Sequence, residues 1–89
     1  MFEFDPAKSQ ANKAKHGIDF VEAQMLWDDP NRLEMAARLA GEPRFLIVGL
    51  ITNAHWSAVI TYRGPFIRII SVRRSRKEEV AAYEAAHDN

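Results

Sequence analysis

Residues 44–77 read RFLIVGLITNAHWSAVITYRGPFIRIISVRRSRK, and this stretch decides the fold. Arg44 to Ile51, Trp56 to Arg63 and Phe66 to Arg74 are rich in Val, Ile and aromatic residues, the composition of strands. Thr52-Asn53-Ala54-His55 and Gly64-Pro65 separate them as hairpin connections, so the three strands should be antiparallel neighbours. The same stretch holds seven basic residues and no acidic one: Arg44, Arg63, Arg68, Arg73, Arg74, Arg76 and Lys77. The other 55 residues hold five basic and twelve acidic side chains, so a neutral chain is split into a basic sheet and acidic surroundings. Strict alternation would put Phe66, Arg68, Ile70, Val72 and Arg74 on one face, with Ile67, Ile69, Ser71 and Arg73 on the other.

Toward the N-terminus, Phe2-Glu3-Phe4 alternates as a short strand. Asp5-Pro6 reads as an N-cap followed by proline at the first helical position, and Gly17 closes that helix after His16. Its faces are Ala7, Ala11 and Ala14, taken as the small one, and Lys8, Asn12 and Lys15, taken as the polar one. Asp19 and Glu22 form a capping box for a second helix with Phe20, Ala23 and Trp27 as its apolar stripe, widened by Val21, Met25 and Leu26. Asp28-Asp29-Pro30 stops it. Arg32 to Ala37 is a fourth strand before a turn at Ala40-Gly41-Glu42-Pro43, and Ser75-x-x-Glu78 caps a final helix to about His87. The order β-α-α-β-β-β-β-α predicts one α+β domain over residues 1–89, an antiparallel sheet with helices packed mainly on one face. The final helix offers Val80, Tyr83 and alanines for burial, so light docking, completed by a partner, is expected.

Composition removes several kinds of chemistry. Cysteine is absent, so there is no disulfide framework or thiol nucleophile, which suits a reducing cytoplasm. MFEFDPAK lacks the apolar core of a signal peptide, and no apolar run approaches the length of a membrane span. His16, His55 and His87 are isolated, so neither a metal site nor any other cofactor is expected. No nucleophile elbow or phosphate-cradling glycine loop is present.

Arginine-rich strand ends suit phosphate, which makes nucleic acid the first partner to consider. Two readings stay open for them. They converge on one rim, or they lie over the core and pair with acidic side chains. His16, at a helix C-terminus, reads as a capping residue or as a proton-transfer group. RNA supplies its own nucleophile, the 2′-hydroxyl. Arg, Lys, His and Tyr can align that hydroxyl, stabilise the phosphorane charge and protonate the leaving oxygen without a metal.

Taken together, Phe2 to Lys8, Asn12 to Ala23, Asp28 to Pro30, Arg68 to Ser75 and Glu79 to Glu84 resemble the BrnT family of bacterial type II toxins. The resemblance implies a RelE-like fold and a metal-independent endoribonuclease that inhibits translation. It also implies a BrnA-like ribbon-helix-helix antitoxin as partner, the complex binding operator DNA. Lys15, His16, Arg63, Arg73 and Tyr83 fall on the positions implied for catalysis. Lys8, Arg44, Arg68, Arg74, Arg76 and Lys77 are the candidates for gripping RNA. The alternative is a non-catalytic or attenuated relative that serves as a co-repressor subunit with its antitoxin.

Overall fold

The structure, a computed structural model, describes residues 1–38 and 41–87. The elements run Phe2–Glu3 (β1), Pro6–His16 (α1), a 3₁₀ helix at Glu22–Asp28, Leu33–Arg38 (β2), Arg44–Ile51 (β3), Ala54–Arg63 (β4), Phe66–Arg74 (β5) and Lys77–Ala86 (α2). This is the expected α+β order. One five-stranded sheet runs β1-β5-β4-β3-β2. Strands β2 to β5 are antiparallel, while β1 joins β5 in parallel, with Phe2 opposite Ile67 and Glu3 opposite Arg68.

The hairpin between β3 and β4 is tighter than the sequence suggests. Its turn is Thr52-Asn53, with Thr52 at φ 58°, and β4 begins at Ala54. Positive φ lets the turn follow the strand twist, so Ala54 and His55 pair in the ladder with Ile51 and Leu50. The turn expected at Ala40-Gly41-Glu42-Pro43 starts at Ala40, which lies outside the described residues; Gly41 has φ 73°.

Asp5 caps α1 by accepting from the Ala7 and Lys8 N–H groups, and Gly17 closes it at φ 81°. The expected small face is not the packed one. Ala7, Ala11 and Ala14 are exposed, and Ser9 and Asn12 are buried. Asn12 is thus removed from the polar face shared with Lys8 and Lys15. The reason is a gap in the sheet: β1 ends at Glu3, opposite Arg68, and leaves the outer edge of β5 open beyond it. The Asn12 amide fills the gap, donating to the Val72 carbonyl at 2.9 Å and accepting the Val72 N–H at 3.1 Å.

The main core lies on the sheet face that carries Ile47, Ala58, Ile60, Ile69 and Val72, under Ile18, Phe20, Ala23 and Leu26. Gly49 is needed here, since a Cβ would stand 3.1 Å from a Leu26 methyl and 3.2 Å from an Asp29 oxygen. The Asp19/Glu22 capping box forms as expected, but the segment it opens winds as a 3₁₀ helix with Val21 and Met25 left exposed.

Alternation along β5 breaks once. Ile60 pairs with Ile69 but Val59 pairs with Ser71, so Ile70 is an extra residue in a β-bulge. Ile69 and Val72 therefore share the core face, where strict alternation would separate them. Helix α2 lies on the opposite face, over Ser57 and Arg73, so two of the three helical elements share the core side. Its capping box sits one residue later than expected: Glu79, not Glu78, reaches back to the Arg76 N–H at 2.9 Å. Among the described residues, no helix is long and apolar enough to cross a membrane.

Candidate functional site

The register divides the basic residues between two ends of the sheet. Arg63 lies opposite Phe66 at one end of the β4–β5 ladder, and Arg74 lies opposite Trp56 at the other. Six residue steps along β4, about 20 Å of strand, lead from Arg63 to Ser57, the partner of Arg73. Both open readings of the arginines are therefore partly realised, at different ends.

At the Arg63 end the charges are paired. Arg63 lies 3.3 Å from Glu42 and 4.0 Å from Glu3, and Arg68 contacts Glu3 at 3.1 Å. Arg44, at the start of β3, is partly exposed. Tyr62 donates to Glu34 at 2.6 Å, and burial together with that carboxylate pushes its hydroxyl up to about 12.

The other end, where β5 runs into α2, is less balanced. Arg73 makes two 2.8 Å hydrogen bonds to the two oxygens of Glu79 and a third, at 3.3 Å, to the Arg74 carbonyl. Glu79 is buried and also accepts from Ser57 and the Arg76 N–H. The Arg73 guanidinium, helped by those two donors and opposed by burial, holds its carboxyl down at about 2. Among the described residues Arg74, Arg76 and Lys77 form no ion pair, so this corner holds three cations without a direct partner beside a paired fourth, with Glu78 close enough to act on Arg73. The guanidinium carbon of Arg74 sits over the Trp56 ring, 5.4 Å from its centroid.

Tyr83 anchors α2 beside the β3–β4 hairpin. Its hydroxyl donates to Asp29 at 2.7 Å, and burial with that bond pushes it up to about 12. The ring meets His55 edge-on at 5.1 Å and His87 at 5.0 Å. Asp29 also accepts the Leu50 and Asn31 N–H groups. Burial opposes its ionisation, but these bonds hold its carboxyl below the ordinary range. Asp29, which the sequence presents as a helix stop, is a junction of three elements. The signal was available in the isolated Asp-Pro step, but its partners are 21 and 54 residues away.

Arg73 and Tyr83 thus share the α2 face. Lys15 and His16 lie on the other side, at the end of a helix anchored through Asn12 to Val72, the neighbour of Arg73. Among the described residues no hydrogen bond or ion pair joins Lys15 or His16 to Arg73 or Tyr83. Lys8 is exposed on the first turn of α1. No three of His, Asp and Glu gather at metal-ligating range among the described residues.

A small α+β domain with arginines gathered at the ends of an antiparallel sheet is suited to holding phosphate. The chain belongs to the BrnT family: residues 4–79 match a family model described as "Ribonuclease toxin, BrnT, of type II toxin-antitoxin system". A type II toxin works against an antitoxin partner. A comparison with curated proteins returns no match. Arg63 and Arg73 fall within the matched stretch, as do Lys15 and His16, and Tyr83 falls just beyond it.

Proposed function

We propose that this chain cleaves RNA without a metal ion and thereby arrests translation. The 2′-oxygen attacks the adjacent phosphorus, the bond from phosphorus to the 5′-oxygen breaks, and a proton is delivered to the leaving oxygen. His16 or Lys15 transfers protons, and Arg73, with Arg63 as the second candidate, stabilises the phosphorane charge. Tyr83 has a positioning role through Asp29. Lys8, Arg44, Arg68, Arg74, Arg76 and Lys77 supply affinity for the backbone, which should weaken with salt. The observation that carries this reading is the cluster of Arg73, Arg74, Arg76 and Lys77 at the β5–α2 junction in a ribonuclease-toxin chain.

Glu79 fits the reading as an orienting partner. A guanidinium has five N–H groups, and Arg73 uses three on Glu79 and Arg74, leaving two for a phosphate. The same pair favours a second reading. A charge already neutralised by a buried carboxylate stabilises a phosphorane less well, as an attenuated co-repressor subunit would tolerate. Incubating antitoxin-free protein with RNA in EDTA separates the two. Cleavage supports the first, intact RNA the second, and cleavage only when Mg²⁺ is added would overturn metal independence.

The antitoxin is proposed to be a BrnA-like ribbon-helix-helix protein whose dimer carries the complex to operator DNA. Helix α2 covers only one end of its sheet face, and Leu46, Val59 and Phe66 on that face are half-buried. A partner segment laid there and continued along α2 to Arg73 would complete the apolar face and shield the cations of the β5–α2 corner.

A further inference from the structure

We infer that Arg74, held over the indole of Trp56, is a stacking platform for one base of a single-stranded RNA, with Trp56 as its positioning residue. The inference rests on the ribonuclease reading and replaces a backbone-gripping role for Arg74 with a base-contacting one. Three observations support it.

First, Arg74 is exposed yet not free to sweep through solvent. Its guanidinium carbon lies 5.4 Å from the centre of the Trp56 ring, while Trp56 is itself packed against the main core. Cross-strand pairing of Trp56 with Arg74 fixes the two backbones as well. A guanidinium held over an aromatic ring and exposed to solvent can meet a base on its outer side. Bases in single-stranded RNA stack on guanidinium planes as they do on aromatic rings.

Second, Arg73 and Arg74 do different work because adjacent residues of a strand face opposite ways. Arg73 is tied to Glu79 on the α2 side. Arg74 lies with Trp56 on the α1 side, and no carboxylate competes for it among the described residues.

Third, Lys15 and His16, the groups proposed to transfer protons, belong to the helix on the platform's side of the sheet. Asn12 fixes α1 to Val72, two residues before Arg74, and Lys15 and His16 follow Asn12 by three and four residues. Arg76 and Lys77, exposed just beyond β5, continue the positive surface. A base seated on Arg74 would present its flanking phosphates to this group. Trp56 would then bear on which nucleotide is held, a role that the salt-dependent cations cannot provide.

The test uses short oligonucleotides in which 2′-deoxy or 2′-O-methyl sugars remove the nucleophile, with or without a single abasic site moved along the strand. The abasic site keeps every phosphate and deletes one base. The expected result is one position at which base removal weakens binding to the wild-type protein about tenfold. Arg74→Lys, which keeps the charge and loses the plane, should weaken the intact strand by a similar factor. It should bind intact and abasic strands alike, with the salt dependence unchanged. Trp56→Leu should move in the same direction, and since it also touches the core, Arg74→Lys decides the matter. Equal wild-type affinity for intact and abasic strands at every position, beside normal cleavage of RNA, would overturn the platform and leave the ribonuclease reading standing. No binding of any strand and no cleavage would overturn both.

Discussion

Asn12 holds Val72 as a neighbouring strand would, donating to its carbonyl and accepting its N–H through one side-chain amide. The same nitrogen donates to the Ile18 carbonyl at 2.8 Å, so a single buried residue closes the sheet edge and fixes the turn after α1. Asn12→Ala leaves three backbone groups without partners, and we expect a loss of about 2–4 kcal/mol. Asn12→Asp should be no better, because a carboxylate cannot donate to either carbonyl. Urea unfolding of the three proteins checks this.

Acid should unfold the protein through Glu79. Its carboxyl is depressed to about 2 from an ordinary 4.5, so its contribution is full above pH 4.5 and is lost as pH falls toward 2. Glu79 is largely buried, and the shift corresponds to a contribution on the order of 3 kcal/mol. Glu79→Gln should start less stable and lose much of the pH dependence in that window. Urea midpoints between pH 2 and 6 for both proteins test the assignment.

The two arginines proposed for phosphorane charge should not be equivalent. Arg73 stands at the cationic corner beside the anchor of α1, whereas Arg63 stands at the far end of the sheet among Glu42 and Glu3. Arg73→Ala should cut RNA cleavage on the order of 10²–10³-fold. Arg63→Ala should cost far less unless the RNA spans both ends. Single-turnover rates measured with each variant distinguish a one-corner site from an extended one.

Tyr83→Phe removes the hydroxyl that reaches Asp29 and keeps the ring beside His55 and His87. Asp29 retains two backbone donors, so the global cost should be modest, about 1 kcal/mol. Faster amide exchange in α2, with β4 unaffected, would locate the effect at helix docking. Wild-type exchange rates in α2 would show that the hydroxyl holds nothing in place.

An antitoxin that covers the β5–α2 corner should inhibit cleavage as it binds. Mixing the toxin with its partner and following mass and RNA cleavage together measures this. A complex that forms while cleavage continues at the full rate would place the interface elsewhere.

Much of the architecture was legible from local signals. The Asp5-Pro6 and Gly17 punctuation bounds α1, and the limits of β3 and β5 follow from their apolar runs. What alternation and helical periodicity could not show depends on distant partners. The burial of Asn12 answers a short β1, and the role of Asp29 answers Leu50 and Tyr83. Lys15, His16, Arg63, Arg73 and Tyr83 could be singled out from residue type and resemblance. Their division between sheet ends and faces needed the register, and the place of Trp56 beneath Arg74 needed the pairing of β4 with β5.

The extra residue at Ile70 has a consequence for how the chain finds its register. A β5 paired straight through from Ile69 would set Ser71 opposite Ala58 in the core, turn Val72 out beside Ser57, and carry Arg73 to the exposed place opposite Trp56, on the face away from Glu79. Leaving the buried Glu79 carboxylate without its arginine would cost several kcal/mol, more than the ladder bonds interrupted by a bulge. The arginine therefore guards the alignment of β5 from the moment the strand pairs, penalising the smooth arrangement before any ligand arrives. Replacing Arg73 with an apolar residue would remove a charge from the surface and, with it, the penalty that keeps a slipped strand out of the folded population.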